Sequence, residues 1–214
     1  RHCAVANIQV PASYEDEKPF AQAVKLHYRD RARCEFQVAG KLLPSSLSSK
    51  ALAELRRTRW PPVLHRQSLT ARQYLVLYYG KQNDGYTELL DVCSEILDWA
   101  DPTYPCSMIA VTKNFSGSPH IDSADVRHQY VVSFGDFDKG GQLCVESIRN
   151  PDRVWVIDCH NRIANVDGRA VHWVRGYSGE RYSIIFYATG PANYTEVLES
   201  FREDWVFGPR SLGK

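Results

Sequence analysis

A series of short strand-like segments constrains the fold of this chain more than any other feature of its sequence. From about Pro105 onward, β-branched and aromatic runs alternate with turns that contain Gly, Asn-Pro or Asp-Gly. Eight short strands at this spacing predict two packed antiparallel sheets of the jelly-roll kind. The predicted strands are Tyr74–Tyr79, Cys106–Thr112, Gln129–Phe134, Gln142–Glu146, Arg153–Asp158, Arg162–Val166, Val171–Arg175 and Arg181–Ala188.

Two helices are predicted ahead of most of these strands. Ser48 or Ser49 can cap a helix that runs toward Arg59, where a Pro-Pro pair follows. Asp84 can cap a second helix over Thr87–Ala100, whose apolar residues recur at three- and four-residue intervals. That spacing gives the second helix one apolar face, which we expect to pack against a sheet.

The order of these elements predicts a single domain of the α+β class with a mainly β core. We expect residues 1–104 to form mainly helical support, residues 105–190 the core, and residues 191–214 a C-terminal helix and tail. The last helix is predicted at Thr195–Arg202, with Asn193 and Glu196 placed as a capping box. The predicted architecture is a double-stranded β-helix, or jelly roll, with helices buttressing one sheet from outside.

Two histidines and an aspartate within the strand-rich part have the chemistry of a metal site. Alternate residues of a strand share a face, so His120 and Asp122 can both point inward from the end of one strand. His172 lies in the strand-like stretch Ala170–Val174, where an inward imidazole needs a polar partner. Two imidazoles and one carboxylate are typical of non-haem Fe(II) sites, which leave positions open for O₂ and a co-substrate. His128 is the alternative ligand.

Arg181 and Ser183 have the chemistry of a carboxylate site. Arg181 follows His172 by nine residues across Gly176–Gly179, a segment that favours a tight reversal and would lay two antiparallel strands side by side. Arg181 and Ser183 share a face, so a guanidinium fork and a hydroxyl can meet a dicarboxylate such as 2-oxoglutarate. The simpler alternative is a surface pair between Arg181 and Glu180, with a serine lining the core.

The residue Asp125 and the segment Asp136–Gly141 lie near these sites, but their roles are less specifically indicated by the sequence. Asp125 can reach a pocket that includes Asp122, or it can be an exposed loop carboxylate. The segment Asp136–Gly141 is predicted to be a turn in which its two glycines adopt positive φ angles.

The charge of the 214-residue chain is unevenly distributed, although its net value is only +1. Residues 1–72 carry 13 Lys and Arg against 6 Asp and Glu, and residues 73–214 carry 13 against 19. The basic stretch Leu55–Trp60, with Arg66 and Arg72, can hold phosphates or can be a solvated helix face.

Cysteine spacing and hydropathy bear on the compartment. Six cysteines without a Cys-x-x-Cys pair indicate buried thiols in a reducing compartment, nuclear or cytoplasmic. No apolar run has the length of a membrane span, so no membrane partner is expected.

Several motifs together resemble the Fe(II)/2-oxoglutarate dioxygenase superfamily, and more narrowly its ten-eleven-translocation/J-binding-protein branch, which includes algal 5-methylcytosine-modifying enzymes. The resemblance covers about residues 106–190, and Gly-Glu-Arg-Tyr-Ser is its most specific part. The motifs are His120-Ile121-Asp122, Phe134-Gly135-Asp136-Phe137 leading to Gly140-Gly141-Gln142-Leu143, His172-Trp173, and Gly179-Glu180-Arg181-Tyr182-Ser183-Ile184-Ile185-Phe186.

The resemblance implies roles for individual residues. It makes His120, Asp122 and His172 the iron ligands, and it makes Arg181 with Ser183 the holders of the distal carboxylate of 2-oxoglutarate. An algal member of the branch uses ascorbate instead, and an aspartate placed as Asp125 is here contacts the ascorbate. The implied reactants are therefore O₂ and either 2-oxoglutarate or ascorbate.

The expected activity is oxidation of a C–H bond, with the 5-methyl group of a modified pyrimidine in DNA as the implied substrate. A base in duplex DNA must be flipped out before it can react. Candidate DNA contacts are Trp173, Tyr130, Phe115 and the basic cluster of residues 56–72. Two alternatives remain open: a hydroxylase of a protein side chain or small metabolite, and a jelly-roll binding module without turnover.

Overall fold

Two β-sheets pack face to face and form most of the molecule. The computed structural model describes residues 2–3, 8–9, 33–61, 73–115, 119–122, 124–150 and 152–190. The helices are α1 (Ser45–Arg57) and α2 (Thr87–Ala100). The strands are β1 (His2–Cys3), β2 (Ile8–Gln9), β3 (Cys34–Ala39), β4 (Lys41–Leu42), β5 (Gln73–Tyr78), β6 (Met108–Lys113), β7 (Gln129–Phe134), β8 (Phe137–Asp138), β9 (Leu143–Glu146), β10 (Arg153–Asp158), β11 (Arg162–Val166), β12 (His172–Val174), β13 (Ser178–Gly179) and β14 (Tyr182–Tyr187).

The larger sheet has six strands in the order β4-β11-β7-β14-β6-β5, and all its neighbours are antiparallel. The smaller sheet has the order β12-β9-β10-β3, and in it β3 runs parallel to β10. Strands β1 and β2 pair with each other, as do β8 and β13. The predicted α+β class with a mainly β jelly-roll core is confirmed by these two facing sheets.

The six-stranded sheet has different chemistry on its two faces, because alternate residues of a strand point in opposite directions. In β14, Tyr182, Ile184 and Phe186 are fully buried in the apolar cluster that also contains the helix residues Leu55 and Leu97. Burial of a Leu or Phe side chain stabilises a fold by about 1.5–3 kcal/mol. The helices therefore buttress the outer face of this sheet, as predicted, and its inner face is left for the site.

The bounds of α2 agree with the prediction, whereas both predicted helix caps are wrong. Helix α1 begins at Ser45, behind Pro44, and no side chain caps it. Helix α2 follows Tyr86, also without a side-chain cap, and the Asp84 carboxylate instead accepts a hydrogen bond from Gln82 at 2.8 Å. Burial of one apolar face stabilises each helix, so neither helix depends on a capping residue.

The strand predictions differ from the observed bounds by at most two residues at either end. Strand β3 was not predicted, although Phe36 and Val38 alternate with polar residues in it. The reversal across Gly176–Gly179 was predicted wrongly. His172 belongs to the smaller sheet and Ser183 to the larger, because the segment between β12 and β14 crosses between the sheets and pairs there with β8.

Some predictions lie outside the described residues. They are the C-terminal helix Thr195–Arg202 with its capping box, Arg66 and Arg72 of the basic stretch, and the tail to residue 214. Within the described ranges, no helix is long and apolar enough to cross a membrane.

Candidate metal centre and the adjoining cavity

A backbone bridge brings the two histidines together. The N–H of His120 donates to the carbonyl of His172 at 3.0 Å, and the N–H of His172 donates to the carbonyl of His120 at 2.9 Å. Residues paired in this way direct their side chains to the same face. The imidazole ring centroids consequently lie 4.2 Å apart.

The backbone also fixes the position of the carboxylate. The N–H of Asp122 donates to the carbonyl of Gly168 at 2.8 Å, and the Asp122 Oδ2 accepts a hydrogen bond from Gln129 Nε2 at 3.4 Å. That Oδ2 lies 3.5 Å from Nε2 of His172. Asp122 lies in a loop and not in a strand, so its position depends on the Gly168 contact more than on strand alternation.

One ligand atom from each of His120, Asp122 and His172 lies within 4.8 Å of the other two. Among the described His, Cys, Asp and Glu residues, this is the one group of three that can hold a metal ion. His128, the alternative ligand, lies outside the group; its carbonyl accepts a hydrogen bond from the Tyr104 hydroxyl. The structure therefore brings together the three residues that the sequence pattern favoured.

The chemical state of His172 suits a metal ligand. Its Nδ1 lies 3.0 Å from the carbonyl of Ala170, which can only accept a hydrogen bond, so Nδ1 carries the proton and Nε2 keeps its lone pair. Burial, and then the nearby His120, lower the pKa of His172 to about 4. The ring is therefore neutral near pH 7, as metal binding requires.

A cavity of about 480 Å³ adjoins these three residues. Its volume is within the usual range of small-molecule sites. Much of its lining is apolar, and the polar side chains that line it include Thr112, Asp125, Arg181 and Ser183 as well as the metal-site group. The metal-site group and the predicted carboxylate site thus belong to one cavity.

Arg181 is a buried cation without an acidic partner in the described part of the chain. It is 1% exposed, its Nε donates to the carbonyl of Gly141 at 3.2 Å, and its Nη1 donates to Oγ of Ser183 at 2.6 Å. Burial lowers the pKa of Arg181 from its ordinary value. The guanidinium carbon lies 5.5 Å from the ring centre of Phe137 and 5.6 Å from that of Tyr177.

The alternative interpretation of Arg181, a surface pair with Glu180, is wrong. Glu180 instead binds Arg56 at 2.9 Å and Lys113 at 3.2 Å. Gly141 has the predicted positive φ, at 76°, and a Cβ on it would lie 2.6 Å from the Phe137 ring and 3.3 Å from Nε of Arg181. The turn before β9 therefore lets the backbone approach Arg181 closely.

Asp125 is buried and is not the exposed loop carboxylate that was the alternative. It is 7% exposed, it lines the cavity, and its Oδ2 has no hydrogen-bond partner among the described residues. Burial, followed by the negative charges of Asp122 and Asp167, raises the pKa of Asp125 to about 8. A protonated carboxyl group of this kind can donate a hydrogen bond as well as accept one.

The candidate DNA contacts differ in their access to the cavity. Phe115 lines it, whereas Tyr130 is 1% exposed and its hydroxyl donates to Asp101 at 2.9 Å. Tyr130 therefore belongs to the core under the helices and is not available for stacking on a base. In the basic stretch, Arg56 pairs with Asp136 and Glu180, and Arg57 pairs with Glu54.

Sequence reasoning missed several side chains that support the site. Gln129 holds Asp122, and the rings of Phe137 and Tyr177 flank Arg181. Thr112 lines the cavity beside Ser183. The alternation of polar and apolar residues could have flagged Thr112 and Gln129, since both occupy inward positions of predicted strands.

Comparison with known proteins gives no match to a family model and no match to a curated protein. Solved structures do resemble the chain. An oxidoreductase of the 2OG-Fe(II) oxygenase family from Burkholderia pseudomallei is 15% identical, with a TM-score of 0.49, over 79% of this chain and 90% of that one. A prolyl-4-hydroxylase from Pseudomonas putida is 16% identical, with a TM-score of 0.45, over 79% of this chain and 100% of that one.

A third similar structure is NgTET1 in complex with 5mC DNA, 18% identical over 48% of this chain and 45% of that one, with a TM-score of 0.33. At these identities and TM-scores, none of the three likenesses carries an argument about the activity of this chain.

Proposed function

We propose that this chain is an Fe(II)- and 2-oxoglutarate-dependent dioxygenase that oxidises a C–H bond. One observation carries the proposal: the His120, Asp122 and His172 group lines the same cavity as Arg181, a buried cation without an acidic partner among the described residues. A buried charge is costly unless a partner neutralises it. A metal-binding group and an anion-binding group in one cavity favour a small acid that binds both.

The donor set fits Fe(II). Two imidazoles and one carboxylate form the facial set of non-haem Fe(II) oxygenases, and His120, Asp122 and His172 would hold the ion. Bound Fe(II) would supply the site at which O₂ is activated for C–H oxidation. The hydrogen bond from His172 Nδ1 to Ala170 keeps the ring oriented, and Gln129 keeps the Asp122 carboxylate oriented.

The carboxylate site fits one end of 2-oxoglutarate. The planar guanidinium of Arg181 can donate two parallel hydrogen bonds to a carboxylate, and its flanking rings keep water away. Ser183 Oγ accepts from Arg181, so its own O–H remains available to donate to the same carboxylate. The apolar side chains of Val131, Leu143 and Ile185 line the space around the acid and limit the entry of water.

For the substrate, we propose the 5-methyl group of a modified pyrimidine in DNA. The sequence resemblance to the ten-eleven-translocation/J-binding-protein branch supports this choice, and the cavity offers the aromatic ring of Phe115 to a flipped base. We also propose a reducing compartment, nuclear or cytoplasmic, where Cys34, Cys93, Cys106, Cys144 and Cys159 stay unpaired.

One observation favours a different substrate within the same chemistry. Arg56 and Arg57 of the basic stretch are engaged in ion pairs with carboxylates of this chain, so neither offers a free charge to phosphate. A protein side chain or small metabolite is therefore the second candidate. DNA affinity that falls steeply with added salt supports the first candidate, and no affinity at low salt supports the second.

Asp125 favours ascorbate as an alternative co-substrate. Asp125 lines the same cavity with a carboxyl group whose Oδ2 has no partner among the described residues, and such a group can bind a hydroxyl-rich molecule. Replacement of Asp125 by Ala separates the two co-substrates. If ascorbate-driven turnover is unchanged in this variant, the ascorbate alternative is wrong.

The central experiment is an anaerobic Fe(II) titration followed by exposure to O₂. The protein is incubated with 2-oxoglutarate or ascorbate and with methylated or unmethylated DNA, and succinate and modified nucleosides are measured by mass spectrometry. Succinate that depends on Fe(II) supports the dioxygenase, and oxidised 5-methylcytosine supports the DNA substrate. A protein that binds Fe(II) but consumes no O₂ with either co-substrate would instead be a binding module.

A further inference from the structure

Three hydroxyl-bearing residues lie in register on adjacent strands of the six-stranded sheet. Ser183 on β14 is opposite Thr112 on β6 and opposite Ser133 on β7. Directly opposed residues share a face, and their Cβ atoms lie about 4.5–5.5 Å apart. Thr112 and Ser133 therefore flank the serine that accepts a hydrogen bond from Arg181.

Thr112 and Ser133 are both buried, but only Thr112 lines the cavity. Thr112 is 4% exposed and Ser133 is 0% exposed, and neither hydroxyl has a hydrogen-bond partner among the described residues. Thr112 lines the cavity, whereas Ser133 is not among its lining residues. A buried hydroxyl without a partner costs free energy, and of these two residues only Thr112 lies in the wall of the cavity, where a ligand can offer its hydroxyl a partner.

We infer that Thr112 is a further co-substrate-binding residue, whose Oγ1–H donates to the same carboxylate as Arg181 and Ser183. This inference rests on the proposed function. A carboxylate has about four lone-pair sites, so it can accept the two parallel bonds of a guanidinium and a hydroxyl bond from each side. The third donor makes the site specific for an acid whose carboxylate reaches Thr112, Ser183 and Arg181 together.

The test compares Thr112→Val with two matched variants. Val keeps the shape of Thr and removes the hydroxyl, Thr112→Ser keeps the hydroxyl, and Ser133→Ala removes the equally buried hydroxyl on the other side of Ser183. Calorimetry measures the Kd of 2-oxoglutarate with Fe(II) in the absence of O₂. It also measures the binding of glutarate, which has both carboxylates but no keto group, to the metal-free protein.

We expect Thr112→Val to raise both Kd values by about tenfold or more, since a hydrogen bond to a charged group is lost. Thr112→Ser should stay within roughly threefold of wild type, and Ser133→Ala should be unchanged. The thermal midpoint of the ligand-free Thr112→Val protein should equal or exceed that of wild type, because an unpartnered buried hydroxyl has been removed. A structural role would predict a lower midpoint.

Unchanged affinity in Thr112→Val, or an equal loss in Ser133→Ala, overturns the inference. Thr112→Ala is the second variant if Thr112→Val does not fold, and it must show the same loss. The proposed function fails separately. If wild type binds no 2-oxoglutarate, both ideas are wrong; if wild type binds it and forms succinate while Thr112→Val matches wild type, only the role of Thr112 is wrong.

Discussion

The environment of the buried Arg181 side chain favours the binding of a negatively charged ligand. Its guanidinium donates to a backbone carbonyl and to the Ser183 hydroxyl, both neutral groups, and lies near two aromatic rings. These contacts stabilise a cation but do not neutralise its charge. His172 is the converse case, since burial keeps its imidazole neutral with its Nε2 directed at the carboxylate of Asp122.

Replacement of Arg181 by Lys should raise the KM for 2-oxoglutarate by about tenfold or more, because an ammonium group cannot reproduce two parallel hydrogen bonds. Steady-state kinetics with varied 2-oxoglutarate measures the change. Arg56→Lys is the matched control, since Arg56 lies on α1 with exposed ion pairs, and its KM should be unchanged. An unaltered KM in Arg181→Lys would point to another anchor or to ascorbate.

Replacement of His172 by Ala should abolish stoichiometric Fe(II) binding and turnover while the fold remains, because one of the three proposed ligands is lost. An anaerobic Fe(II) titration measures the binding, and circular dichroism checks the fold. His128→Gln tests the other histidine near Asp122, and it should keep its iron affinity. Loss of Fe(II) binding in His128→Gln together with its retention in His172→Ala would assign His128, and not His172, to the metal site.

At the level of elements, one face of β14 packs in the hydrophobic core and its other face lines the cavity. Its outward residues pack under the helices, and its inward Ser183 and Ile185 line the cavity. Helix α1 contributes to both functions, because Leu55 enters the core and Arg56 pairs with Asp136 and Glu180 beside the Arg181 segment. Docking of α1 should therefore matter for stability more than for chemistry.

Replacement of Leu55 by Ala should lower the free energy of unfolding by about 2–5 kcal/mol, since a fully buried side chain leaves a cavity. Urea unfolding measures this loss. Leu52→Ala on the same helix is the control, because Leu52 is only partly buried and should cost less. Equal losses in the two variants would contradict the deeper burial of Leu55 in the core.

At the level of the whole molecule, the site exists only between the two sheets. His172 comes from the four-stranded sheet, Ser183 comes from the six-stranded sheet, and Arg181 immediately precedes the strand that carries Ser183. Asp125 and Asp122 come from the segment between β6 and β7. Because burial sets the pKa of Asp125, its protonation is coupled to folding of the whole domain.

Asp125 should make the free energy of unfolding of the ligand-free protein fall as the pH rises from about 4 to about 8. Its pKa of about 8 in the fold exceeds the ordinary value of 3.8, so the folded protein holds a proton that the unfolded chain has released. Asp125→Asn should remove this dependence and raise the free energy of unfolding at pH 7.5 by roughly 1–3 kcal/mol.

Urea unfolding across this pH range, with the exposed Asp91→Asn as control, measures the effect of Asp125. The control variant should follow the wild-type pH profile. The prediction is wrong if Asp125→Asn is no more stable than wild type at pH 7.5, or if the two proteins differ equally at pH 5 and pH 8.

The sequence by itself determined eight of the strands, the bounds of α2 and the three residues that can hold a metal ion, because periodicity and ligand chemistry are local properties. Only the tertiary structure decided which sheet each strand joins, that β3 completes the smaller sheet, and that β12 and β14 lie in opposite sheets. It also decided the burial of Asp125 and the exclusion of Tyr130 from the cavity. Strand pairing and burial depend on residues far apart in the chain, and no local pattern specifies them.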